Sequence, residues 1–231
     1  MSIRKVLLAV AVLAIVAFTA SAGPIFTPST ASSTLGSGNS AIAGHTGPYG
    51  TMMIDLTSPT MASITFTANP GFQFIDSGIA GVNVNATTWT ASTPTATQLP
   101  GFAAFGFSTG TGHEDGFGIF NQNFNNSDGF DHAVQSLTFT LTDTSGTWAN
   151  ATNVLIQNLG GWFDAAHIAV CNPPGGLSCT QSLGAIVTGY AGENTLTGNT
   201  PPPIPEPGSL FLLGSAVLTA AGFVRRRIIK A

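Results

Sequence analysis

Ser136-Leu137-Thr138-Phe139-Thr140-Leu141-Thr142 alternates apolar and hydroxyl side chains without a fault across seven residues. A strand turns successive side chains to opposite faces, so Leu137, Phe139 and Leu141 share one face and the Ser and Thr residues the other. A helical period would scatter both sets around the axis. One dry face and one wet face is the pattern of an antiparallel sheet half covered by a core.

The same period of two recurs outward from this stretch. In Ala62-Ser63-Ile64-Thr65-Phe66-Thr67, Ile64 and Phe66 point one way and the hydroxyl residues the other; Val82-Asn83-Val84-Asn85 repeats the pattern. Further strands are predicted at 51–57, 72–76, 101–107, 116–120, 154–159, 166–171 and 185–190, separated by Gly, Pro, Asn and Ser clusters. No segment between them has a helical period. The fold class is therefore all-β: an antiparallel β-sandwich of jelly-roll type over residues 51–192, with its core built from many of the 16 phenylalanines. Residues 23–50, rich in Ser, Thr, Gly and Pro, read as a loose N-terminal arm or a weakly ordered first strand. Residues 193–204 read as a proline-rich linker.

Charge narrows the function more than length does. Only 7% of the 231 residues are charged, against roughly 25% in an average globular chain. Between Gly23 and Ile204 there are nine acids and no Lys or Arg, a formal charge of −9. Phosphate backbones are bound largely through Lys and Arg, so no nucleic-acid partner is expected. No carboxylate of this body can find a Lys or Arg within it. Stability must come from apolar burial, hydrogen bonds and a cross-link. Cys171 and Cys179, the only cysteines, flank a Pro-Pro-Gly-Gly turn and are expected to form a disulfide in an exported protein.

The one cluster where chemistry can hide is His113-Glu114-Asp115 with Asp128 and Asp131-His132. Glu114, Asp115, Asp128 and Asp131 are weak calcium candidates, since calcium takes carboxylate and carbonyl oxygens. The run 121–131 lacks the spacing of a calcium-binding loop. Paired carboxylates also serve glycoside hydrolysis, but no Trp lies near them. Polar rim residues of a sandwich are the plainest reading, and no catalytic motif, enzyme activity or cofactor is assigned. Trp89, Trp148 and Trp162 are candidates for stacking on a sugar. His167 alternates with Ile168 and Val170 and is expected on the wet face.

The two ends read as addresses. Arg4 and Lys5, an apolar run over residues 6–18, and Ala20-Ser21-Ala22 before Gly23 make residues 1–22 a signal peptide, cleaved by signal peptidase between Ala22 and Gly23. At the far end, residues 209–224 are an uncharged run of 16, about 24 Å long as a helix. Arg225, Arg226 and Arg227 follow and fix the cytoplasmic side. A transmembrane helix is predicted there, with everything before it outside. Pro201, Pro202, Pro203, Pro205 and Pro207 form a stiff, donor-poor stem that keeps Glu206 exposed.

Pro205-Glu206-Pro207, a short apolar helix and a terminal arginine cluster resemble the PEP-CTERM sorting signal of Gram-negative bacteria. The resemblance covers 205–231. It implies an exosortase, a membrane transpeptidase, as processing partner. It further implies temporary inner-membrane anchoring and transfer to the outer envelope or exopolysaccharide matrix. The runs Phe130-Asp131-His132-Ala133-Val134 and Thr144-Ser145-Gly146-Thr147-Trp148 resemble ectodomains of proteins with that tail, and no activity comes with them. A structural or adhesive surface protein is the leading expectation, and a carbohydrate- or calcium-binding module acting on exopolysaccharide is the alternative.

Overall fold

The seven-residue alternation lies in a strand of eight, Ser136–Asp143, whose even exposure pattern buries Leu137, Phe139 and Leu141 at 0–1%. This computed structural model describes residues 26–126, 129–172 and 179–199. The strands in chain order are β1 (Ser29–Leu35), β2 (Ser37–Gly38), β3 (Gly50–Ser58), β4 (Met61–Ala68), β5 (Phe72–Phe74), β6 (Ala80–Val82), β7 (Trp89–Ala91), β8 (Thr95–Thr97), β9 (Ser108–Glu114), β10 (Gly118–Asn125), β11 (Ser136–Asp143), β12 (Asp164–Cys171), β13 (Ala185–Glu193) and β14 (Thr197–Asn199). One sheet runs β14-β1-β3-β4-β11-β7, with β8 also on β11; the other runs β2-β13-β12-β6-β10-β9, with β5 also on β12. Every pairing is antiparallel.

Short turns dictate much of this order. Pro59 and Thr60 alone join β3 to β4, and Ser58 pairs with Met61. Three residues join β9 to β10, with Gly116 in the left-handed region at φ 86°. Connections this short can join only antiparallel neighbours. Hairpins therefore stay within one sheet before the chain crosses to the other. In a jelly roll nearly every successive strand crosses, so the strand order departs from that type while the two antiparallel sheets stand.

The two dry faces meet in one core. Phe139 of the first sheet packs on Phe124 of the second with ring centroids 4.4 Å apart, and Phe66 meets Phe74 edge-on at 6.1 Å. Each such ring contributes about 1.5–3 kcal/mol when fully buried. A polar contact also crosses the core: the Ser33 hydroxyl of β1 donates to the Asp164 carboxyl of β12.

The two segments flanking the predicted sandwich are part of it. The residues read as a loose arm or weakly ordered first strand supply β1, which pairs along its whole length with β3. Residues read as a linker supply β14, which pairs with β1 through Thr30, Ala31 and Ser32. Their signal is faint because the dry face of β1 is Ser29, Ala31, Ser33 and Leu35, small or polar except at its end. The predicted strand 101–107 is absent, and β9 begins just after it. At 154–159 only an isolated bridge forms, between Leu155 and Val84. Among the described residues no helix is long and apolar enough to cross a membrane. The predicted signal peptide, 1–22, and transmembrane helix, 209–224, lie outside the described residues.

Ala31→Pro tests the place of β1. It removes a ladder donor from a strand paired on both sides, and the thermal midpoint should drop by more than about 5 °C. A loose arm would leave the midpoint unchanged.

Candidate functional site

The sorting residues Pro205, Glu206, Pro207, Arg225, Arg226 and Arg227 lie outside the described residues, as do Ala20, Ala22, Gly23 and Asp128. Cys171 and Cys179 are joined in a disulfide, with Cα atoms 5.3 Å apart. It closes the connection between β12 and β13.

Of the acidic candidates, the described residues Glu114, Asp115 and Asp131 lie in different settings. Glu114 and Asp115 are consecutive at the β9–β10 turn, but Glu114 is 0% exposed and Asp115 is open to solvent. Asp131 sits in a 3-10 turn, Phe130–His132, and pairs with its neighbour His132 at 3.7 Å. Among the described residues no three His, Cys, Asp or Glu side chains converge as a metal-binding group.

Glu114 is where this body departs furthest from ordinary chemistry. Its carboxyl lies under Gly78, where an added Cβ would sit 2.1 Å from either oxygen. One oxygen is bound by the Asn123 side-chain amide and the other has no hydrogen-bond partner among the described residues. Burial pushes its pKa up to about 9, against a smaller lowering by Asn123. It is therefore a neutral acid at pH 7.

A cleft of about 390 Å³ opens beside it, walled by Ser77, Gly78, residues 108–113, Asn123, Asn125 and Tyr190. Ser77 carries φ 59°, a strained conformation for a residue with a side chain. Several contacts hold it there. The Asn125 side-chain Oδ1 accepts the N–H groups of Ser77 and Gly78, and the Tyr190 hydroxyl donates to the Ser77 carbonyl at 2.6 Å. His167 pairs through Nδ1 with the Asp76 carbonyl. Its ring lies flat on Tyr190, centroids 4.4 Å apart and planes at 11°. It is thus half-buried rather than a free surface histidine. Burial lowers its pKa, outweighing the opposite pull of Asp76. Tyr190 is pushed up to about 12, by burial first and then by Glu114, Asp115 and Asp76.

A second, wider groove of about 660 Å³ runs past Asn83, Asn85, Asn121, Asp143, Ser145 and Trp148. Trp148 is 3% exposed and its indole N–H donates to the Asn85 carbonyl at 2.8 Å. It is core, which corrects its reading as a stacking residue. Trp162 stands edge-on to Phe117 at 4.8 Å, and Trp89 donates to Gln122 Oε1 at 3.2 Å. Both are half-buried.

Asp164 is a buried acid that the motif search passes over. It is fully buried, holds the Ser33 hydroxyl and accepts the Glu193 N–H at 3.1 Å. Burial pushes its pKa up to about 7; Ser33 and the Glu193 N–H lower it and the Glu193 charge raises it. The alternation of β12 places it on the dry side with Ala166 and Ile168, which is the signal that could have found it.

Residues 203–227 match the family model of the PEP-CTERM protein-sorting motif. The motif implies an exported protein sorted by an exosortase-type enzyme. No match to the chain was found among curated proteins or among solved structures.

The buried acids set a pH dependence. Unfolded, Glu114 and Asp164 lose their protons near their ordinary values of 4.5 and 3.8; folded, they keep them to about 9 and about 7. Their contribution to stability is complete below pH 4 and falls as pH rises toward 9, because only the unfolded chain releases protons in that window. The thermal midpoint should fall between pH 5 and 9, and Glu114→Gln should fall markedly less. Parallel curves for the two proteins would contradict a neutral Glu114.

Proposed function

We propose that this chain is a structural or adhesive surface protein, a β-sandwich delivered to the cell exterior by its C-terminal sorting motif. Residues 1–22 direct it into the secretory route, and residues 209–224 hold it in the inner membrane with Arg225 to Arg227 on the cytoplasmic side. An exosortase acts near Pro205-Glu206-Pro207, and the body passes to the outer envelope or matrix of a Gram-negative bacterium. The observation that carries this reading is the sorting motif at 203–227. It begins shortly after β14, the last strand of the sandwich. The proposal treats the body as non-catalytic.

A second reading is favoured by the cleft beside β9. Its walls are Ser, Thr, Asn and Gly with His113 and one tyrosine, and it holds no Lys or Arg. Hydroxyl and amide groups around an aromatic ring suit an uncharged saccharide, and the nearby acids Asp76 and Asp115 disfavour an anionic one. On this reading the body is a carbohydrate-binding module for exopolysaccharide.

Mass spectrometry of the mature protein tests the sorting step. In cells with an active exosortase the chain should lack residues 225–231, and in cells without one it should keep them. Alanine at Pro205, Glu206 and Pro207 together should also preserve the full-length form. An intact tail in cells with active enzyme would refute processing. For the second reading, Tyr190→Ala should weaken calorimetric binding of the organism's neutral matrix polysaccharide at least about tenfold; absence of binding by the unaltered protein rules that reading out.

A further inference from the structure

We propose that β9 is a self-pairing edge through which two copies of this body join their β9-bearing sheets into one continuous sheet. The four sheet edges among the described residues are unequal. The first sheet ends in β14 on one side and in β7 and β8 on the other, each of three residues. The second sheet ends in β2, of two residues, and in β9, of seven, while the three-residue β5 on β12 is bridged onward through Phe74 to Val134. A short edge offers little to a foreign strand, whereas a long one presents a row of unpaired N–H and C=O groups.

β9 also lacks the commonest guards of an edge, proline and basic side chains. It contains no Pro, Lys or Arg. The bulge in its hairpin lies on the inner strand, where Asn121 and Gln122 of β10 oppose Thr111 alone. The outer strand keeps an even register. Residues 108–111 are exposed on both faces, and a Cβ added at Gly110 would meet nothing within 4 Å.

The occupant is a second copy because this strand, laid antiparallel on itself, pairs like with like and brings uncharged residues together at the centre of the contact, where two acidic bodies must meet. Ser108 to Gly112 hold no ionisable side chain, and the Glu114 carboxyl is turned away into the protein. Laid antiparallel on itself, the strand overlaps over all seven residues only when Thr111 faces the partner's Thr111. That register sets Thr109 opposite the partner's His113 and Gly110 opposite the partner's Gly112. Thr–Thr pairs across antiparallel strands are favourable, and the glycines keep the approach clear. The remaining acids repel, so salt should strengthen the pairing by screening.

Sedimentation velocity on the exported, processed protein tests this. A monomer–dimer equilibrium is expected, shifting toward dimer as salt rises. Thr111→Pro should weaken the dimer at least about tenfold while the thermal midpoint and the β-type circular dichroism stay near the parent's. Thr111→Lys serves the same purpose if the proline variant does not fold. Thr111→Cys should yield a disulfide-linked dimer through that residue on mild oxidation. A protein that remains monomeric at all concentrations and salts overturns the proposal. So does a dimer that persists with both the proline and the lysine at 111.

Discussion

A buried carboxyl group needs a counter-charge, a set of hydrogen-bond donors or a proton. Between Gly23 and Ile204 this chain has no Lys or Arg, so the first option does not exist. The other two divide the enclosed acids. Asp143 takes donors: burial alone would raise its pKa, but the Ser145 and Gly146 N–H groups at 2.8 Å and the Ser145 hydroxyl at 2.9 Å outweigh that and lower it. Glu114 takes a proton, and Asp164 combines the two, accepting from Ser33 and the Glu193 N–H while burial lets it keep a proton up to about pH 7.

The fold follows this division. Asp164 as a neutral acid can share the core with Ser33 and so tie the two sheets together, whereas an ionised one there would cost several kcal/mol of desolvation. Glu114 as a neutral acid can lie against Gly78 and Phe120-backed Gly81, supporting the strained turn at Ser77 from below. The price is a body that prefers mild acid and carries its remaining negative charge on the outside, which suits a protein displayed rather than packed among basic partners. The same lack of cations leaves β9 without the lysines that commonly keep sheet edges apart.

How much of this was legible depended on side-chain contrast. β11 and β4 are written plainly, because Leu, Phe and Ile alternate with Ser and Thr. β1 was not, because its dry face is Ser29, Ala31, Ser33 and Leu35, and a two-fold period is invisible when both faces are small. β7, β8 and β14 have three residues each, too few to show any period, and are held by register against longer neighbours. The disulfide was legible from spacing, the sorting tail from its motif. The acidic residues read most plainly as polar rim, and Asp115, in the turn after β9, is exposed as that reading expects, whereas Glu114, the last residue of β9, is buried. His167 was placed on the outer face, but its partner Tyr190 became known only through the β12–β13 register.

The central claim is that Glu114 holds a proton at neutral pH because it is buried away from water, in a body with no Lys or Arg between Gly23 and Ile204. Infrared difference spectroscopy between the parent protein and Glu114→Gln at pH 7 reads that proton directly. The account expects the carbonyl stretch of a protonated, weakly hydrogen-bonded carboxylic acid to vanish in the variant and, in the parent, to persist until the pH approaches 9. A carboxylate band lost from the parent instead would contradict it.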